Sequence, residues 1–125
     1  MSSKGWALVT GGSRGIGRAV ARRLAEDGFD VLITYREAER EARAVVDEIV
    51  AAGRAGDLRK VDLGDAASVD LLTRSLEDES RFVAILVNNA GEIRDRLLVF
   101  SSDDDLRRLM EVNLVGVMRL SRGVL

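Results

Sequence analysis

The chain contains no cysteine and no histidine. These absences exclude disulfides, thiolate nucleophiles, zinc sites built on thiolate or imidazole, and any Ser-His-Asp triad. No run reaches the ~18 consecutive apolar residues of a membrane span. The N-terminal stretch MSSKGW also lacks the apolar core of a signal peptide. The cytoplasm is therefore the expected compartment, with no membrane partner. A net charge of −2 provides no basic footprint for nucleic acid. The run Asp103-Asp104-Asp105 lacks the spacing and glycine of a calcium loop. It is expected to be the acidic first turn of a helix, where the dipole favours carboxylates, and no metal is expected.

The remaining composition, 46% hydrophobic and 32% charged over 125 residues, describes one ordinary globular domain. Short apolar runs at residues 6–10, 31–35, 58–62 and 82–88 predict strands. The first, second and fourth are nearly continuous, as expected when helices cover both faces of a parallel sheet. Between the strands the spacing is helical. Ile16, Val20 and Leu24 mark a first helix stopped by Gly28, and Ala42, Val45, Val46, Ile49 and Val50 a second stopped near Gly53. Val69, Leu72 and Leu76 mark a third, with Asp65 as its N-cap. Ser102 and Asp105 form a capping-box pair opening a fourth helix, whose expected apolar face is Leu106, Met110, Val117, Leu120 and Val124. This βαβαβαβα order predicts an α/β fold with a doubly wound parallel sheet that stops after the fourth strand and its following helix.

The stretch ALVTGGSRGIG at residues 7–17 carries the strongest chemical signal. An apolar run ends in a glycine-rich turn that opens directly into a helix. Such a turn points backbone N–H groups outward at the positive end of the helix dipole, where a phosphate can sit. Gly11, Gly15 and Gly17 are spaced GxxxGxG rather than the general dinucleotide GxGxxG. Beyond the second strand, an arginine favours a 2′-phosphate and a carboxylate favours a ribose hydroxyl. Arg36 comes first there, and with Arg14 in the glycine turn it could grip one phosphate, which points to NADP. Glu37 could instead serve a ribose hydroxyl and favour NAD, and both arginines could simply face solvent.

Asn88-Asn89-Ala90-Gly91 follows the fourth strand at the carboxyl end, where open α/β sheets bind ligands, though a simple turn uses the same residues. Asn113 falls on the expected apolar face of the last helix, between Met110 and Val117. A buried amide costs about 1–3 kcal/mol unless hydrogen-bonded, so it requires partners. It either ties the helix to a loop or stands beside an active site.

Together these residues resemble the short-chain dehydrogenase/reductase family over essentially the whole chain. Thr10-Gly11-Gly12-Ser13-Arg14-Gly15-Ile16-Gly17 is similar to its TGxxxGxG motif, Asp62-Leu63 to its adenine-contacting position, and Asn88-Asn89-Ala90-Gly91 to its NNAG motif. Asn113 matches the asparagine of its Asn-Ser-Tyr-Lys tetrad. Within the family the chain is most similar to 3-oxoacyl-[acyl-carrier-protein] reductases. Gly91-Glu92-Ile93-Arg94-Asp95 is close to the stretch those enzymes carry after NNAG.

The resemblance implies a Rossmann-type NADP(H)-binding domain over residues 1–125, the front half of a short-chain reductase. By position, Gly11, Gly12, Ser13, Gly15, Ile16 and Gly17 would hold the pyrophosphate, and Arg14 with Arg36 the 2′-phosphate. Asp62 and Leu63 would flank the adenine, Asn89, Ala90 and Gly91 would line the cleft, and Asn113 would support a proton relay. It further implies an oxidoreductase of fatty acid biosynthesis reducing a small-molecule or acyl-carrier-bound carbonyl, and a homo-oligomer built through the last helix.

Two features depart from the family. The only tyrosine, Tyr35, precedes Glu39 by four residues rather than a lysine, and the only lysines are Lys4 and Lys60. The Ser and the Tyr-x-x-x-Lys pair do not occur at the family's positions in these residues, so the 125-residue chain alone is not expected to turn over. A non-catalytic nucleotide-binding module and an inactive fragment that binds nothing stably are the competing expectations. The strand at 82–87 is also expected as an exposed apolar edge, open to pairing with another chain.

Overall fold

A computed structural model of the chain describes residues 2–92 and 98–125. Ile93, Arg94 and Asp95, part of the stretch compared with the reductases above, lie outside the described residues. The strands are β1 (Trp6–Val9), β2 (Asp30–Tyr35), β3 (Gly56–Lys60) and β4 (Val83–Val87). All pair in parallel, in the order β3-β2-β1-β4. The helices are α1 (Gly15–Glu26), α2 (Glu39–Ala51), α3 (Ala66–Asp78), α4 (Asp103–Met110) and α5 (Gly116–Val124), with a π-helical turn, Glu111–Val115, joining the last two. No helix among the described residues is long and apolar enough to cross a membrane.

Strand alternation divides the core. Ala7, Val9, Val31 and Ile33 face α1 and α2, where Ala21, Ala25, Ala42, Val45 and Ile49 are buried. Leu8 and Leu32 face the other way, onto Val69, Leu72, Leu76, Val112 and Leu120. The expected doubly wound sheet is therefore present. The expected caps form too: the Asp65 side chain accepts from the Ala67 N–H at 3.0 Å, and Ser102 and Asp105 bond reciprocally. Asp103, Asp104 and Asp105 occupy the first turn of α4.

Several expectations need correction. Thr10, Asp62 and Asn88 lie just past their strands, and β3 begins two residues early, at Gly56. On α1 the buried face is Gly17, Ala21 and Ala25, while Ile16 is 76% exposed. Small residues let α1 approach the sheet closely, so the large aliphatics flank the contact rather than fill it. Val50 of α2 is likewise exposed.

The last helix shows the largest departure. Leu106 and Met110 are exposed, and the buried line is Val112, Gly116 and Leu120. The π turn is wider than an α turn and shifts the phase that α-helical counting carried across it. Gly116 lies on the contact, where a Cβ would overlap the Leu63 carbonyl oxygen.

Candidate functional site

The strand order reverses between β1 and β4, and their carboxyl ends open onto a cavity of about 610 Å³. Crevices of this size at such a switch point are where open α/β sheets take ligands. One hydroxyl ties the two strand ends together. Thr10 Oγ1 accepts from the Asn89 and Ala90 N–H groups at 3.1 and 3.0 Å and donates to the Val87 carbonyl at 3.4 Å.

The glycine turn is shaped by close approach. Gly11 and Gly15 have φ of +65° and +59°, a region that favours glycine. A Cβ on Gly17 would overlap the Gly11 carbonyl oxygen and stand 2.5 Å from Asn89 Nδ2, which donates to that same carbonyl at 3.1 Å. A Cβ on Gly15 would meet only open space, so the turn presents bare backbone outward there. Arg14 is the N-cap of α1 and makes no side-chain cap bond, and the first turn holds no acidic residue. The helix therefore offers its positive end to an anion rather than to its own side chains.

The structure gathers most of the residues singled out from the sequence. Gly11, Ser13, Arg14 and Arg36 line the cavity, as do Asp62, Leu63, Asn89, Ala90 and Gly91. Gly12, Ile16 and Gly17 do not. Gly12 is packed where a Cβ would come within 2.6 Å of Ile33 Cγ2, and its N–H donates to the Thr34 carbonyl. Leu63 borders the cavity and also belongs to the core. Tyr35 and Glu37 line the same opening.

Asn113 departs from the expectation of a buried amide. It is exposed, in the π turn, and both ends of its amide are used. Its Oδ1 accepts from the Glu92 N–H and its Nδ2 donates to the Glu92 carbonyl, each at 2.8 Å. The partners required by the desolvation argument are present, and they are backbone groups at the exit of β4.

Two residues escaped the sequence reading. Arg108 of α4 holds Asp62 through two bonds, at 3.1 and 2.8 Å, and donates from Nε to Glu92 at 2.8 Å. Glu92 in turn meets Arg36 at 3.2 Å. The Arg108 guanidinium beside Asp62 holds its carboxyl below the usual aspartate range, and the same partners raise Arg108. No spacing rule links positions 36, 62, 92 and 108; only the fold brings them to one opening.

The short chain dehydrogenase family matches this chain over residues 5–125. The 3-oxoacyl-[acyl-carrier-protein] reductase of Synechocystis is 39% identical over 118 residues, covering 94% of this chain and 48% of that protein. The FabG reductase of the same description from Escherichia coli is 41% identical over 119 residues, covering 95% and 47%. A short chain dehydrogenase from Burkholderia cenocepacia, solved with NADP, is 40% identical with a TM-score of 0.92, over 98% of this chain and 50% of that one. A variant of actinorhodin polyketide ketoreductase solved with NADPH is 32% identical with a TM-score of 0.88, over 99% and 48%. The chain thus spans about half the length of the curated relatives it matches. With its glycine turn, its β1–β4 cleft and these likenesses, the chain belongs to the short chain dehydrogenase family.

Proposed function

We propose that residues 1–125 form the NADP(H)-binding half of a reductase that converts a ketone, of 3-oxoacyl type, to an alcohol. The observation that carries this reading is the cavity at the β1–β4 switch, where the uncapped start of α1 and the side chains of Arg14 and Arg36 share one opening. These residues fit a dinucleotide. The outward backbone at Gly15 and the α1 N-terminus suit a pyrophosphate, and two guanidiniums suit a 2′-phosphate. Asp62 and Leu63, which also line the opening, would flank the adenine, and Asn89, Ala90 and Gly91 would form the wall toward β4.

When bound, NADPH supplies the hydride for the carbonyl carbon. The chain's own residues bind and orient. Asn113 acts as a positioning residue through the Glu92 backbone, fixing how the segment after β4 leaves the sheet. Tyr35 stands at the end of β2 and does not take the role of general acid. A natural substrate that is small or carried on an acyl carrier, a cytoplasmic setting and a role in fatty acid biosynthesis complete the proposal.

Equilibrium titration with NADPH tests the binding reading, with saturable binding expected and no binding at millimolar cofactor rejecting it. Arg36→Ala is expected to weaken NADPH about tenfold or more, as for loss of a charge-assisted bond, and NADH far less. Equal losses would overturn the assignment of Arg36 to the 2′-phosphate. An assay with NADPH and an acetoacetyl substrate is expected to show no turnover by the 125-residue chain, and turnover would overturn that view. A second reading, a nucleotide-binding module without catalysis, is favoured by the position of Tyr35. A reading frame past Leu125 that carries the Ser and Tyr-x-x-x-Lys pair would decide against it.

A further inference from the structure

We infer that Glu92 is a specificity-determining residue, whose carboxylate competes with a cofactor's 2′-phosphate for Arg36. The inference rests on the cavity being the dinucleotide site. Arg36 follows β2 and Glu92 follows β4, and β1 lies between those strands. The ion pair Arg36 Nη1–Glu92 Oε1, 3.2 Å long, therefore crosses the opening beside the glycine turn.

The two partners are held unequally. Glu92 has its backbone fixed on both sides by Asn113, and its Oε2 accepts from Arg108 Nε at 2.8 Å. Its side chain is 19% exposed, whereas that of Arg36 is 49% exposed. Arg108 is itself committed to Asp62 by two bonds. Arg36, Glu92, Arg108 and Asp62 thus form one chain of ion pairs along the opening, and Arg36 is its more exposed end.

A 2′-phosphate brings about −1.5 to −2 charges and is best held by both forks of a guanidinium, including the Arg36 Nη1 that Glu92 occupies. It must draw Arg36 away and leave Glu92 on Arg108. A plain ribose hydroxyl makes no such demand. Glu92 therefore lowers the preference for NADPH over NADH below what Arg36 would set unopposed, a repulsive element within a specificity site.

The test titrates the 125-residue chain and its Glu92→Gln variant with NADPH and NADH in parallel, read by nicotinamide fluorescence. Glutamine keeps the shape and can still accept from Arg108, and circular dichroism confirms folding. The NADPH preference is expected to rise about two- to fivefold, the scale of a partly exposed ion pair. In an Arg36→Gln background, the same Glu92→Gln change is expected to shift the preference by less than about twofold, since the coupled partner is gone. Glu92→Asp draws the carboxylate back by one methylene while keeping its charge, and is expected to move the preference in the same direction if Glu92→Gln does not fold. An unchanged preference in chains that bind both cofactors overturns the inference alone. An equal gain without Arg36 also overturns it, showing general repulsion rather than competition. Binding of neither cofactor by the parent chain overturns the proposed function and the inference with it.

Discussion

Asp62 and Arg108 meet across 46 positions of sequence through two hydrogen bonds. This pairing has a definite pH signature. Arg108 lowers the Asp62 pKa in the folded state, against about 3.9 when unfolded. A depressed carboxylate contributes stability that is present above the unfolded value and fades as pH falls toward the folded one. Denaturant unfolding from pH 6 to 3 is therefore expected to show an acid loss that Arg108→Gln flattens. An identical slope in the variant would mean that Asp62 draws its support elsewhere. Asp57 shows the same balance on β3, where burial would raise its pKa but the bonds from Arg81, the Leu58 N–H and Arg59 outweigh it. Arg36 and Asn89 were legible in the sequence from their places just after a strand, and Asp62 through the family resemblance, and all three line the cavity. Glu92 and Arg108 were not, because ion pairing across a cleft depends on side-chain reach between distant elements and leaves no periodic trace.

The elements show why helix faces were harder to foresee than strands. A strand alternates with period two, and β1 and β2 place Ala7 against Leu8 and Val31 against Leu32 on opposite faces as that rule requires. Helices α2 and α3 dock through the aliphatics their spacing marks, but α1 docks through Gly17, Ala21 and Ala25, and α5 partly through Gly116. Hydrophobic spacing finds large side chains and passes over such contacts. Gly17→Ala tests the point, because the added methyl would overlap the Gly11 carbonyl oxygen. A loss of about 1–3 kcal/mol in urea unfolding is expected, the scale of overpacking, together with weaker NADPH binding. Unchanged stability would show that the turn can yield. The phase error in the last helix has a separate source, since nothing in Glu111–Val115 announces a π turn. Asn113 nevertheless sits within it, and such turns recur at functional sites.

At the scale of the molecule, the doubly wound order followed from the alternation of runs, but which surfaces remain uncovered emerged only with the fold. Among the described residues β4 pairs with β1 alone, so it forms an edge of the sheet, as expected, though Val83, Ile85, Leu86 and Val87 are half-buried rather than exposed. Leu106, Met110, Leu114 and Met118 form a second exposed apolar line, along the last helix. We propose that copies of the chain associate through this helix. Sedimentation equilibrium is expected to show concentration-dependent association that Met118→Glu reduces, and equal association in the variant would shift the contact to the β4 edge. The Thr10 hydroxyl carries a different consequence. One oxygen receives two amides from β4's exit and donates to that strand's last carbonyl. The Thr10 hydroxyl thus reinforces the seam where the sheet changes direction, beside the bonds from the Thr10 N–H to Val87 and from the Asn89 side-chain amide to Gly11, and amide protons on both sides of it should exchange with solvent as one cooperative unit.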